Sequence, residues 1–129
     1  MGNLYSCSSF KKDKKNEEEK EIYDLPDIEK FYHKYTCKIH FSNLNRIGDN
    51  QIYNLYLCEN DLVLKNSSKE ISLIYNNILL WKTTETFFSF IYKNGKKEYQ
   101  IILEVENAHE ISKNLKIILY ELVEYYRNI

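Results

Sequence analysis

The chain has 129 residues, of which 43% are hydrophobic and 15% aromatic, enough apolar surface for the single core of one small domain. Its formal net charge is -1, and because a nucleic-acid binder needs a surplus of Lys and Arg to neutralise phosphates, nucleic acid is not an expected partner. The three cysteines are widely spaced, with no C-x-x-C pair and no Cys/His cluster, so neither a metal nor a cofactor is predicted.

The first seven residues match the acceptor pattern for N-myristoylation, M-G-x-x-x-[ST]. Removal of Met1 leaves Gly2 with an unhindered amine, and the small hydroxyl residue Ser6 suits a narrow peptide-binding channel. Cys7 lies within reach of the same membrane surface as an acyl chain on Gly2, where S-acyltransferases modify cysteines. We therefore predict myristate on Gly2 and palmitate on Cys7. The alternatives are an unmodified N-terminus and an exposed free thiol.

Two acyl chains are expected because one myristoyl chain gives only marginal binding, of order 10⁴ M⁻¹, whereas two anchor a protein stably. No stretch approaches the roughly 18 to 20 apolar residues that span a bilayer, and the N-terminus lacks the apolar region of a secretory signal. Residues 11–21, lysine-rich and then glutamate-rich, predict a solvated flexible tether, or alternatively a polybasic patch. The predicted division is an acylated tether over residues 1–25 and a folded domain over residues 26–129.

Beyond the tether, apolar and polar residues alternate with a period of two, which predicts six or seven short antiparallel strands. The first strand has Tyr35, Cys37, Ile39 and Phe41 on one face. Further strands are predicted at 52–58, 62–64, 71–75, 78–82, 87–92 and 98–105. Asn94-Gly95, between the last two, is the strongest two-residue hairpin signal, because both positions tolerate positive φ.

The final segment changes to a helical period. Its apolar stripe consists of Ile111, Leu115, Ile118, Leu122 and Tyr125, widened by Leu119 and Tyr126. Asn107 and Glu110 form a variant capping box, so a helix is predicted over 108–127. Such a helix can cover the open end of a strongly bent sheet. The predicted fold class is therefore mainly β, a bent seven-strand barrel capped by a C-terminal α-helix.

This order of elements resembles the pleckstrin-homology fold. Together with Gly2, Cys7, the charged tether and a sequence rich in Tyr, Asn, Lys and Ile, it resembles the inner membrane complex sub-compartment proteins of apicomplexan parasites. Those are small acylated proteins of pleckstrin-homology-like fold, on the flattened membrane sacs beneath the plasma membrane. Many of them carry two cysteines near the glycine, whereas this chain has only Cys7 in its first 36 residues, so its anchoring would depend on one thioester.

The resemblance covers the whole chain, and what it implies is a non-catalytic scaffold. The protein would be peripheral and lipid-anchored, on the cytoplasmic face of the inner membrane complex. It would act through protein–protein contacts in sub-compartment organisation, cell polarity and daughter-cell formation, with tubulin as a candidate cytoskeletal partner.

The alternative function is a phosphoinositide-binding pleckstrin-homology module, which needs several basic residues at the first hairpin. That region offers Lys38, His40 and Arg46, but its loop also carries Asp49, and the pattern K-x-n-[KR]-x-R is missing. Lys38 and Arg46 are thus the candidate residual head-group contacts. The competing interpretation is that both are solvated surface charges, and phosphoinositide binding is not expected.

No catalytic motif is present: the chain has no P-loop, H-E-x-x-H or dinucleotide-binding fingerprint, and only three glycines. The histidines His33, His40 and His109 lie in three different predicted elements. Cys37 and Cys58 fall on strand patterns, which predicts small buried side chains. Trp81 and the tyrosines are expected to pack the core, and the protein is not expected to be an enzyme.

Overall fold

A computed structural model describes residues 27–128, which form one antiparallel sheet and one long helix. The strands are β1 (His33–Ser42), β2 (Ile52–Leu57), β3 (Asp61–Lys65), β4 (Glu70–Ile74), β5 (Ile78–Thr83), β6 (Phe87–Asn94) and β7 (Lys97–Val105). A 3₁₀ turn (Tyr75–Asn77) joins β4 to β5, and helix α1 (Ala108–Arg127) follows β7. The mainly β fold class with a C-terminal helix is confirmed, and each strand lies within two residues of its predicted bounds.

The strands pair in the linear order β4-β3-β2-β1-β7-β6-β5, so β4 and β5 are the two edges of an open sheet. The word barrel describes this sheet only loosely, because β4 and β5 are consecutive in the chain but not paired with each other, and the sheet is therefore not closed. Helix α1 packs against β5 and β6 and caps the sheet. A bent sheet with a helical cap of this kind fits the pleckstrin-homology-like architecture, and the helix covers apolar surface that strand pairing does not close.

The main core lies between the inner face of the sheet and the first three turns of α1. Alternate residues of the strands point into it, and Ala108, Ile111, Leu115 and Ile118 complete it from the helix. Its largest fully buried side chains include Tyr53, Phe88 and Phe90. Burying an aliphatic or Phe side chain of this kind contributes about 1.5–3 kcal/mol, so this one cluster supplies most of the apolar stabilisation.

A second, smaller cluster consists of Tyr56, Cys58 and Val63 on the opposite face of β2 and β3. Tyr56 alternates with Leu55 and Leu57, which belong to the main core, and therefore points to the other side of the sheet. Ile28 and Phe31 pack against this cluster, and the Phe31 ring meets the Tyr56 ring edge-on at 5.1 Å. The described part of the chain thus begins by covering the outer face of the sheet.

A β-bulge in β1 overturns the expectation that Phe41 shares the inward face of Cys37 and Ile39. The register with β7 runs from Ile39 opposite Leu103 to Phe41 opposite Ile102, which leaves one extra residue in β1. A one-residue shift reverses the face of every following side chain. Cys37 and Ile39 are buried as predicted, whereas Phe41 is 40% exposed.

The β6–β7 hairpin is confirmed, but its turn is displaced by one residue from the predicted Asn94-Gly95. Asn94 is the last residue of β6 and pairs with Lys97, so Gly95 and Lys96 form the two-residue turn. Gly95 has a φ of 68°, and among residues 27–128 the only other positive φ belongs to Asn50. A positive φ at the first turn position alone is the pattern of a type II′ turn, which calls for glycine there.

Helix α1 has its predicted bounds, but two details of the prediction are wrong. The side chain of Asn107 makes no capping hydrogen bond, so no capping box forms; its backbone carbonyl accepts the first helical bonds instead. Tyr125 and Tyr126, expected in the buried stripe, are 63% and 65% exposed. The periodicity continues for two turns beyond the last buried helix residue, Ile118, so a helical pattern alone overestimates how much of the helix the sheet covers.

Candidate functional site

The predicted lipidation residues, Gly2 and Cys7, lie outside the described residues, as does the predicted tether over residues 1–25. The structure does describe where that segment joins the domain. Asp27 accepts hydrogen bonds from Lys34 Nζ at 2.6 Å and from the Tyr56 hydroxyl at 3.2 Å. Burial, and secondarily the Asp27 carboxylate, raise the pKa of Tyr56 to about 12, so its hydroxyl remains a donor at physiological pH. The junction is held on the outer face of the sheet.

Lys38, one of the two candidate head-group contacts, lies among acidic residues. It is exposed on β1, where its register partners are Ile52 in β2 and Glu104 in β7. A shallow surface depression contains Lys38 together with Glu104 and Glu106. Two carboxylates beside one ammonium leave no local positive surplus for an inositol phosphate, so the setting favours the surface-charge interpretation.

Arg46, the other candidate, lies in the loop between β1 and β2, which is held by its own contacts. Leu44 and Ile47 are buried in the core, and the Asp49 carboxylate accepts a hydrogen bond from the Ser42 backbone at 3.2 Å. The Nζ of Lys69, from the β3–β4 loop, donates to the Arg46 carbonyl at 2.6 Å.

Lys69 was missed by the sequence reasoning. It is 23 positions from Arg46, and no local pattern indicates that the two loops meet. The structure therefore brings the Lys69 ammonium to the loop that carries Arg46 and the acidic Asp49, through the Arg46 backbone carbonyl.

A groove of about 920 Å³ lies between the C-terminal half of α1 and the turn from β4 to β5; we call it the α1 groove. Its apolar lining consists of Ile74, Tyr75, Leu119, Leu122, Val123 and Tyr126. Asn60, Asn76 and Arg127 complete the lining. No pattern in the sequence indicates this groove, because two of its sides come from elements more than 40 positions apart.

Tyr75 gives the α1 groove a fixed wall. The side chain is buried, its hydroxyl donates to the Cys58 carbonyl at 2.6 Å, and its backbone N–H donates to the Asn60 carbonyl at 3.1 Å. Because both polar groups are already bonded within the domain, Tyr75 offers ring carbons to the groove. In contrast, Ile74, Val123 and Tyr126 are 49%, 53% and 65% exposed, so the outer walls present uncovered apolar surface.

A second exposed apolar surface lies at the edge strand β5. Leu79 and Leu80 are about half exposed, and β5 pairs on one side only, with β6. Leu80 and Trp81 border a depression whose polar lining includes Lys82 and Lys116. An unpaired strand edge with apolar side chains is a surface to which another extended chain can add.

Both cysteines among residues 27–128 are buried free thiols. Burial raises the pKa of the Cys37 thiol to about 12 and that of Cys58 to about 11, which keeps both thiols protonated and unreactive. His109 Nδ1 is hydrogen-bonded to the Thr83 hydroxyl at 2.9 Å, and the His40 ring packs edge-on against Phe87. Within the same range no three metal-ligating side chains come close enough to hold an ion.

No helix in the described part of the chain has the length and apolar character needed to cross a bilayer. In comparisons with known proteins, neither a protein-family model nor a curated protein matches the chain.

Proposed function

We propose that this protein is a non-catalytic scaffold, anchored to a membrane by myristate on Gly2 and palmitate on Cys7, whose folded domain binds other proteins. The observation that carries the proposal is the N-terminal sequence Met1 to Cys7, which combines a myristoylation pattern with an adjacent cysteine. Each buried methylene of an acyl chain contributes about 0.8 kcal/mol, so two chains anchor durably where one does not.

The surface of the domain supports the protein-binding half of the proposal. Large apolar side chains are exposed along α1 and on β5, among them Ile117, Tyr120, Val123, Leu79 and Leu80. Contiguous apolar surface on a folded domain marks interaction sites, and tyrosines are enriched in protein interfaces. A scaffold requires such surfaces and requires no reaction centre.

The resemblance to inner membrane complex sub-compartment proteins supplies the cellular part of the proposal. On that resemblance the membrane is the apicomplexan inner membrane complex, with the protein on its cytoplasmic face. The role is organisation of sub-compartments, polarity and daughter-cell formation, through protein partners for which tubulin is one candidate.

Intact mass of the protein from its native cells, with and without hydroxylamine, tests the anchor. We expect a mass increase equal to one myristoyl and one palmitoyl group, of which only the palmitoyl is removed by hydroxylamine, because hydroxylamine cleaves thioesters and leaves amides. An unmodified N-terminus would overturn the proposal and leave a small β domain without an assigned membrane role.

A phosphoinositide module is the second candidate function, and the contact between the Arg46 and Lys69 loops is the observation that favours it. Two loops that meet with a basic residue on each can contact one phosphate group. Asp49 in the same loop, and the acidic neighbours of Lys38, weigh against it. We therefore propose protein binding as the principal activity of the domain.

A further inference from the structure

We infer that the α1 groove binds the chain's own myristoyl group when the protein is away from the membrane. This inference rests on the proposed acylation of Gly2 and adds a soluble state in which the acyl chain is covered. The groove would thereby regulate membrane attachment, because the same acyl chain cannot occupy the groove and the bilayer at once.

The chemistry of the α1 groove matches a hydrocarbon chain. Six apolar side chains line it, and the buried wall residue Tyr75 has both its hydroxyl and its backbone N–H bonded inside the domain. An acyl chain needs no hydrogen-bond partners, so the apolar part of the lining suits it, and the remaining lining residues Asn60, Asn76 and Arg127 are polar. The volume of about 920 Å³ lies within the range of about 300–1,000 Å³ that is usual for small-molecule sites.

The position of the N-terminal junction also favours this occupant. From Asp27, the described chain passes Phe31 and reaches Tyr32, which borders a depression shared with Leu122 and Tyr125 of α1. Leu122 also lines the α1 groove. Neighbouring surface depressions therefore share lining residues, Tyr32 at the N-terminal end and Leu122 at the α1 groove.

Gly2 can reach the groove by length alone. Gly2 and Asp27 are 25 positions apart, and a fully extended chain of that length spans at most about 90 Å. Attachment within the same molecule places the acyl chain at an effective concentration of about millimolar order, which favours it over a separate lipid or peptide.

The dimensions of the groove argue against a second copy of the chain as the occupant. On α1 the groove extends from Leu119 to Arg127, about 12 Å of helix axis. A stable interface between two proteins buries about 800 Å² on each partner, a much larger surface than this groove offers. An acyl chain, by contrast, is a narrow ligand that needs no interface of that size.

The first test uses the full chain, produced with an N-myristoyltransferase and ¹³C-labelled myristate, in the absence of lipid and detergent. We expect nuclear Overhauser contacts between acyl methylenes and the methyl groups of Ile74, Leu119 and Val123. Absence of these contacts, or contacts to other surfaces, would overturn the inference. A mixture of labelled and unlabelled chains identifies contacts between molecules, which would instead mean that a second copy donates the acyl chain.

The second test compares Val123→Glu with Tyr120→Glu in the myristoylated full chain. Both side chains are exposed, at 53% and 65%, and both variants add the same charge to α1, but only Val123 lines the groove. We expect Val123→Glu to raise the fraction bound to phosphatidylcholine–phosphatidylserine vesicles several-fold, because the displaced acyl chain becomes free to insert. Tyr120→Glu should bind as the unsubstituted protein does.

Equal vesicle binding by the two variants would overturn the inference, and the unmyristoylated Val123→Glu chain serves as a control for charge effects. Because the acyl group is installed enzymatically, these results do not depend on what the native cell does. An unmodified protein in native cells would defeat the proposed function, whereas an acylated chain without groove contacts would defeat only this inference.

Discussion

Burial determines the chemistry of the two cysteines that the structure describes. Cys37 is 3% exposed in the main core and Cys58 is 7% exposed in the outer cluster, and both thiols are free. Desolvation disfavours the thiolate, so the pKa of each rises and neither is a nucleophile at neutral pH. The strand pattern predicted this burial correctly. Palmitoylation is accordingly proposed for Cys7 and not for either of these residues.

The raised pKa of Cys37 predicts that the protein loses stability at alkaline pH. Its pKa rises from an ordinary value of 9.0 to about 12 in the folded protein. Below pH 9 the thiol is protonated in both the folded and the unfolded chain, so its contribution to the free energy of unfolding is fully present. Above pH 9 the unfolded chain releases the proton first, which favours unfolding until the pH passes about 12. For this thiol alone the free energy of unfolding should fall by about 1 kcal/mol between pH 9 and pH 10.

Urea unfolding at pH 8, 9 and 10 measures this effect, with Cys37→Ala as the matched variant. The variant should be less stable at every pH because it leaves a cavity, but its stability should depend less steeply on pH. If the free energy of unfolding depended on pH identically in both proteins, the alkaline loss of stability could not be assigned to the Cys37 thiol.

At the scale of elements, short irregularities decide where side chains point. The bulge in β1 exposes Phe41, and the II′ turn moves the hairpin loop by one residue relative to Asn94-Gly95. The two C-terminal turns of α1 extend past the buried part of the helix and form one side of the α1 groove. Each of these features depends on pairing with a neighbouring strand or on contact with the sheet, which the periodicity of a single segment does not contain.

Gly95→Ala should destabilise the β6–β7 hairpin. Gly95 has a φ of 68°, and a Cβ added there would meet nothing within 4 Å, so the cost comes from the backbone conformation alone. We expect a loss of about 1 kcal/mol in the free energy of unfolding, because side chains with a Cβ disfavour the left-handed region by about 1–2 kcal/mol.

Gly48→Ala is the control for this substitution. No positive φ is recorded at Gly48, and the nearest atom to an added Cβ is in the flexible Gln51 side chain at 3.4 Å, so little change in stability is expected. Thermal unfolding measures the stability of both variants. If Gly95→Ala were as stable as Gly48→Ala, the II′ turn would be contradicted.

For the whole molecule, the open sheet and its helical cap leave apolar surface uncovered at the α1 groove and along β5. The N-terminal junction at Asp27 lies on the outer face of β2 and β3, and the depression beside Tyr32 shares Leu122 with the groove. In the state we infer, the acyl chain covers the α1 groove, so release of the chain into the bilayer also uncovers this part of the domain surface. Whether a partner protein meets an empty or a filled groove would then depend on whether the acyl chain is in the bilayer.

Substitution of the two acylation residues should affect membrane association unequally. Gly2→Ala is expected to abolish both modifications and leave the full chain soluble, because palmitoylation of Cys7 follows prior membrane contact through myristate. Cys7→Ser should leave the protein partly membrane-bound through myristate alone. Fractionation of cells that produce each variant measures the effect, and a Gly2→Ala chain that stays fully membrane-bound would contradict this order of events.

The same Gly2→Ala chain tests the phosphoinositide alternative. Flotation with phosphoinositide vesicles at physiological salt should leave it in the soluble fraction. If the chain floats, and Lys69→Ala or Arg46→Ala prevents flotation, the domain binds lipid head groups. The proposal of a scaffold without lipid binding would then fail.

The sequence by itself determined the strands, the helix and their approximate bounds, since these follow from local periods of two and 3.6 residues in side-chain polarity. It also carries the acylation motif, which is a property of consecutive residues. Only the tertiary structure decided that β4 and β5 stay unpaired, that Lys69 meets Arg46, and that Ile74 and Val123 line one groove. The last two relations join residues 23 and 49 positions apart, and all three depend on which elements meet in the folded chain, which no local pattern encodes.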